Sequence, residues 1–361
     1  QLDYSIFPSV IKSRIQMTYK KVNSILEKNE IPEGYEPFVK SLRIMHDLAK
    51  ILRKAKEARG YIDFEVDEAK ILVDENCVPT EIVKRDRGTG ELLIEDFMIA
   101  ANETVASCVY FMDLPFVYRV HGEPNEEKIN NFLKFISILG YKVNGNIKEI
   151  TPKEMQKLLG QLSEKKEFSI LSRLLLRSMQ KAVYDKNNIG HFGIASKCYT
   201  HFTSPIRRYP DTTVHRLLRT YLFKHKIDND TIDYWNNKLP FLTEHSSNKE
   251  RDSIECEREV DDMKKAEYME KHIGEEYDGM ISSIMSFGIF VELANSVEGL
   301  IKIDDLTDDT YTFDEATFSL RGKKNKRGYR LGDNIRIKVK AANKEAKTVD
   351  FVIADNNISK N

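Results

Sequence analysis

Cysteine is scarce and scattered. The four residues, Cys77, Cys108, Cys198 and Cys256, stand too far apart for a disulfide framework or a metal-ligand spacing. A reducing, cytoplasmic setting is the simplest expectation from that usage. A surplus of charge is lacking too. Lys and Arg number 56 against 57 Asp and Glu, a formal net charge of -1, so total charge gives no pointer to nucleic acid and only its distribution can. No run is long and apolar enough to span a membrane, no signal-peptide pattern is visible, and no internal repeat or low-complexity linker occurs. What is present is 361 residues, 41% hydrophobic and 31% charged, a length that suggests about two or three domains.

The apolar spacing divides the chain into two textures. From Ser9 to Met17 alternate residues fall on one face, which predicts a strand, and Thr18 then reads as a helix cap. Helices are predicted at Glu36 to Gly60, Leu93 to Met112, Glu126 to Leu139, Pro152 to Ser163, Glu167 to Asp185, Pro205 to Lys226 and Ser253 to Lys271. Strands are predicted at Tyr61 to Val66, Lys70 to Val73 and Thr80 to Arg87. The helix from Leu93 is apolar nearly all round, as a central buried helix is. Beyond Gly274, short β-branched runs alternate with Gly, Asp and Asn. They predict strands at Tyr277 to Ile284, Gly288 to Leu293, Glu298 to Ile303, Asn334 to Ala341 and Thr348 to Ile353, which suit a small closed barrel of the OB type. The expected fold class is α+β. Its body covers residues 1–272, its five-stranded barrel 273–355, and a tail 356–361.

The segment from Tyr199 to Asp211, with Thr203-Ser204-Pro205-Ile206-Arg207-Arg208-Tyr209-Pro210, carries the strongest local signal. Ser204 followed by Pro205 reads as cap and first helical residue. That places Arg207 and Arg208 in the first turn, where a cation faces the positive end of the helix dipole. Two readings stand. Either arginine pairs with an acid such as Asp211 or points to water, or free N–H groups and guanidinium donors converge on a phosphate.

This segment resembles the signature of the RNB-domain exoribonucleases, the family of ribonuclease II and ribonuclease R. Leu174 to Tyr184, Gly190-His191-Phe192-Gly193, Thr18 to Val22, Glu95 to Asn102 and Val120-His121 match it collinearly. The resemblance implies a 3′-to-5′ exoribonuclease that hydrolyses single-stranded RNA to nucleoside 5′-monophosphates. By the same resemblance Arg207 is the catalytic arginine at the scissile phosphate and Arg208 its helper on a neighbouring phosphate. Tyr19 lies at the end of the RNA channel, and Phe64 stacks on a terminal base. Glu95 and Asp96 contact sugar hydroxyls or bases near the 3′ end. As residues alone, Tyr19 and Phe64 read as core aromatics, and Glu95 and Asp96 as helix-terminal acids.

The family uses magnesium held by clustered aspartates, which its pattern places N-terminal to Ser9. The chain is therefore expected to be part of a longer polypeptide, inactive alone, with no metal ligands of its own. His121, His191, His201 and His215 lack short ligand spacings and read as structural. Asp261-Asp262, Asp304-Asp305 and Asp308-Asp309 read as solvated. Gly279 to Asp305 resembles the S-one RNA-binding type, in which Phe287 and Phe290 offer a stacking face, one of them being expected to pack in the core. From Arg321 to Lys340 a basic run that includes Lys323, Lys324 and Arg327 fits capture of RNA phosphates. The expected partner is single-stranded RNA, bound by a monomer; a non-catalytic RNA-binding protein is the alternative.

Overall fold

Thr18 starts the first helix. Its backbone is extended and its hydroxyl accepts the Lys21 N–H at 3.4 Å, so α1 runs Tyr19–Lys28. The computed structural model describes residues 3–63, 69–85, 87–138, 140–141, 150–163, 168–315 and 317–354. After a single 3-10 turn, α2 (Val39–Arg59) ends at Gly60, which sits at φ 103° and could not carry a Cβ, because Lys153 N would lie 2.6 Å from it. β1 (Ala69–Val73) and β2 (Pro79–Lys84) form an antiparallel hairpin. α3 (Thr89–Tyr110) then packs against α1 and α2, with Leu93, Val105, Ala106 and Val109 buried. β3 (Tyr118–Val120) pairs antiparallel with β4 (Val183–Asp185) across α4 (Glu126–Ile138), α5 (Pro152–Leu162) and α6 (Phe168–Ser178). α7 (Tyr209–Leu218) runs into one π-helical turn, and α8 (Asn229–Glu270) continues for 42 residues behind an Asp228 cap.

The second region begins where α8 ends. β5 (Glu276–Met285), β6 (Gly288–Leu293) and β7 (Glu298–Lys302) are followed by β8 (Tyr311–Asp314), β9 (Ser319–Gly322) and β10 (Gly328–Tyr329), which make a separate three-stranded sheet. β11 (Asn334–Asn343) and β12 (Thr348–Ile353) complete a closed five-stranded barrel in the order β11-β12-β7-β6-β5. Inside it Phe351 is 0% exposed and fills the space left by Gly299, where a Cβ would stand 2.4 Å from the ring. One buried cluster joins Ile136, Met155 and Leu175 of the body to Ile281, Val291 and Phe351 of the barrel. Phe135 meets Phe318 edge-to-face at 5.3 Å, and Arg173 pairs with Glu292.

Several expected elements differ. Ser9 to Met17 form no strand: among the described residues no neighbouring strand offers a ladder, and Val10 and Ile11 are exposed. The helix expected from Glu167 to Asp185 stops at Ser178, because Val183 to Asp185 are claimed by pairing with β3. The helix expected from Ser253 begins at Asn229, since a polar sequence containing Pro240 hides the buried stripe of Leu239, Thr243 and Ser247. Tyr61 to Asp63 form no strand, and the rest of that expected strand, with Phe64, lies outside the described residues. So does the tail at 356–361. The sheet of β8, β9 and β10 was not expected.

Candidate nucleic-acid interface

The arginine turn is built from below by buried polar side chains. Thr200, 0% exposed, donates to the Val117 carbonyl at 2.6 Å. Asn102 of α3 donates to the Tyr199 hydroxyl and accepts the Phe202 N–H, both at 3.0 Å. The Phe202 ring stacks on His215 at 4.4 Å, and His215 Nε2 lies 3.0 Å from the Phe202 carbonyl oxygen. Asp211, 0% exposed, accepts the Ser204 N–H at 2.7 Å and Arg208 Nη2 at 2.8 Å on one oxygen, Oδ1. Thr212 donates to the Pro205 carbonyl at 2.8 Å. Pro205, Ile206 and Arg207 form the exposed tip, and the Arg207 guanidinium has no ion pair or hydrogen bond among the described residues.

This geometry corrects the expected cap. α7 starts at Tyr209 with Arg208 as its N-cap residue, so Ser204 and Pro205 lie ahead of the helix and neither arginine is in its first turn. Pro210, not Pro205, supplies the fixed φ near the helix start. Arg208 takes the pairing with Asp211, and Arg207 is left exposed.

Glu95 and Asp96 also sit differently from the expectation. They are in the second turn of α3, whose start is held instead by Glu91 accepting the Gly88 N–H at 3.1 Å. The Asp96 side chain is wholly buried, 2.6 Å from Arg53 and 2.7 Å from Lys56. Glu95 remains partly accessible, contacting Lys56 at 3.3 Å, the Tyr61 hydroxyl at 2.9 Å and Arg87. Burial alone would raise the Glu95 carboxyl, but hydrogen bonds from Arg87 and Tyr61 and the charge of Lys56 hold it below the ordinary range. Lys56 lies 3.8 Å over the Tyr61 ring. Tyr19 opens α1 and is 46% exposed.

On the barrel, Phe287 is 53% exposed and meets half-buried Phe290 edge-to-face at 6.0 Å. Neither ring is in the barrel interior, which β6 fills with Ile289, Val291 and Leu293; the expectation of one core ring is thereby corrected. Lys323, Lys324 and Lys326 are exposed on the turn after β9, with no ion pair among the described residues. That turn is held by Asp309, which accepts the N–H groups of Lys324 and Asn325 at 2.7 and 2.8 Å. Arg327 is drawn inward, 3.3 Å from Asp308 and over the Tyr329 ring. Asp308 and Asp309 thus keep access to solvent while also holding the turn, and Asp305 pairs with Lys340 at 2.6 Å. The sequence signal for this was the basic run itself: a dense cluster of like charge needs counter-charge to fold tightly.

The histidines are engaged by the scaffold. His121 Nδ1 accepts the Gly193 N–H at 3.0 Å and its Nε2 lies 2.8 Å from the Gln180 carbonyl oxygen. Burial pushes His191 down to about 3 and His201 to about 2, the latter helped by Arg208 and Arg119. His191 Nδ1 is buried without a partner, which the sequence did not signal. Among the described residues no group of three or more His, Cys, Asp or Glu could hold a metal ion. No helix among them is long and apolar enough to cross a membrane.

Comparison with known proteins gives this geometry its context. The RNB domain profile matches residues 1–224, and that of the S1 RNA binding domain matches 270–353. Ribonuclease R of Thermotoga maritima is 44% identical over 355 residues, covering 98% of the chain and 50% of that relative. Ribonuclease R 1 of Lactococcus lactis is 42% identical over 351 residues, covering 97% of the chain and 43% of the relative. The chain thus spans about half the length of the curated relatives it matches. The structure of Mycoplasma genitalium RNase R in complex with ribose methylated single-stranded RNA superposes with a TM-score of 0.87 at 32% identity, covering 93% of this chain and 53% of that one. Since the match over residues 1–224 takes in more than half of the 361 residues, the chain belongs to the RNB domain family.

Proposed function

We propose that the chain forms the RNA-holding part of a 3′-to-5′ exoribonuclease that hydrolyses single-stranded RNA to nucleoside 5′-monophosphates. One observation carries the reading: Arg207 stands free at the tip of a turn that buried Asp211 holds through the Ser204 N–H and the Arg208 guanidinium. A cation carried on a fixed turn can stabilise charge on a phosphate in flight at little reorganisation of the backbone beneath it. Glu95, the accessible acid of its pair, is the candidate for a sugar hydroxyl; Asp96, wholly enclosed by Arg53 and Lys56, holds α3 to α2. Tyr19 and Phe64 are proposed to contact bases, although Phe64 lies outside the described residues. On the barrel, Phe287 and Phe290 offer ring surface and Lys323 and Lys324 offer charge, while Arg327 acts through the fold of its turn.

The proposed domain division is 1–272, 273–355 and a tail. The protein is proposed to act as a cytoplasmic monomer. Magnesium is proposed as the metal of the complete enzyme, with ligands outside the described residues. The solved RNase R relative bound to single-stranded RNA and the S1 RNA binding domain match both support RNA as the partner. The test is the 361-residue chain with labelled single-stranded RNA. It should bind in a titration yet release no monophosphates with or without magnesium, while the full-length protein releases them with it. Full-length protein that binds RNA without hydrolysing it would favour the non-catalytic alternative.

A further inference from the structure

We infer that Asp211 is the positioning residue of the arginine turn. It consumes Arg208 as a strut so that Arg207 alone meets the phosphate, an inference that rests on the role proposed for Arg207. Three observations carry it. Asp211 is the third residue of α7 and 0% exposed, where an acid is favoured by the helix dipole. Its Oδ1 reaches back seven residues to the Ser204 N–H at 2.7 Å, closing the loop into a ring. The same oxygen takes Arg208 Nη2 at 2.8 Å, drawing that guanidinium inward while Arg207 next to it stays exposed.

Closure is tight because further bonds fasten the same loop from either side. Ser204 O accepts the Arg208 N–H at 3.1 Å, and Thr212 bonds the Pro205 carbonyl at 2.8 Å. Asn102 bonds the Phe202 N–H at 3.0 Å. Two adjacent arginines would otherwise compete for one anion. Pairing one with a buried carboxylate settles which faces solvent, and misplacing a catalytic cation by even a fraction of its reach is costly in rate.

The test is a double-mutant cycle in the full-length protein, read as kcat and KM on single-stranded RNA. Asp211→Asn should lower kcat at least about 30-fold with KM within about threefold, and should add less than about threefold once Arg207 is already Ala. Arg208→Gln, which leaves Asp211 in place should Asp211→Asn fail to fold, should behave the same way. If either effect multiplies in full on the Arg207→Ala background, or raises KM instead of lowering kcat, Arg208 is a ligand in its own right and the inference fails. Wild-type kcat in Asp211→Asn and Arg208→Gln would overturn it as well. Wild-type kcat in Arg207→Ala alone would sink the role proposed for Arg207, and this inference with it.

Discussion

The arginine turn and the lysine turn of the barrel both present cations, but they are built in opposite ways. Around Arg207 the supporting groups are buried, and one guanidinium stays free. Around Lys323 to Lys326 the support is a half-exposed acid gripping backbone N–H groups, and the lysines extend into water. The first design suits a single phosphate met in one geometry; the second suits any phosphate passing within a Debye length. Exposed ammonium groups on flexible stems attract a strand without reading it, whereas a guanidinium carried on a braced turn can discriminate a transition state from a ground state.

The body's rigidity can be broken hardest at Lys56. Lys56→Met should cost about 3–5 kcal/mol in denaturant unfolding, because it leaves the buried Asp96 and half-buried Glu95 short of counter-charge. A loss under about 1 kcal/mol would mean Arg53 alone neutralises the site. Next in size, Arg207→Ala in the full-length protein should slow cleavage at least about 100-fold while single-stranded RNA affinity changes far less. Equal losses in both would make Arg207 another capture residue, like the lysines.

A smaller effect follows from the histidines under the turn. His191 and His201 sit near 3 and 2 when folded, chiefly through burial, against 6.5 unfolded. Below pH 6.5 the unfolded chain therefore binds more protons, so their contribution is complete above that pH and is lost as pH falls toward 3. Each should add up to about 1.4 kcal/mol per pH unit to the slope of stability against pH. His201→Asn should flatten the slope between pH 6 and about 4. A variant with the wild-type slope would show that His201 is already protonated or solvated in the fold.

The smallest effect belongs to the barrel. Replacing Lys323, Lys324 and Lys326 with Gln should lower the log-log salt slope of RNA binding by about 0.7 for each phosphate left without its lysine, with kcat unchanged. An unaltered slope would remove the lysine turn from the interface and leave the comparison without its second term. Substitution is a cleaner probe than deleting the barrel, since Phe135 and Met155 share a core with Ile281 and Phe351 and would be left uncovered.

Local pattern was enough for α1, α2, α5, the five barrel strands and the body of α3, though not for its start at Thr89. Their caps, apolar stripes and alternation lie within a dozen residues of one another, and local chemistry sets such features. The arginine motif was legible for the same reason. The use made of each arginine was not: Arg207 and Arg208 are neighbours of one type, and only the folding of Asp211 into the core separates a strut from a free cation. Likewise Glu95 and Asp96 look alike in order, yet their helical positions send one toward solvent and the other into Arg53 and Lys56. Pairing of Val183 to Asp185 with Tyr118 to Val120 needed a partner more than sixty residues away, which no local period encodes. Sequence by itself determined which chemical groups are available and where the barrel strands and the locally capped helices lie. Tertiary structure alone decided which of those groups are spent on one another, because desolvation and pairing depend on neighbours brought together only by the fold.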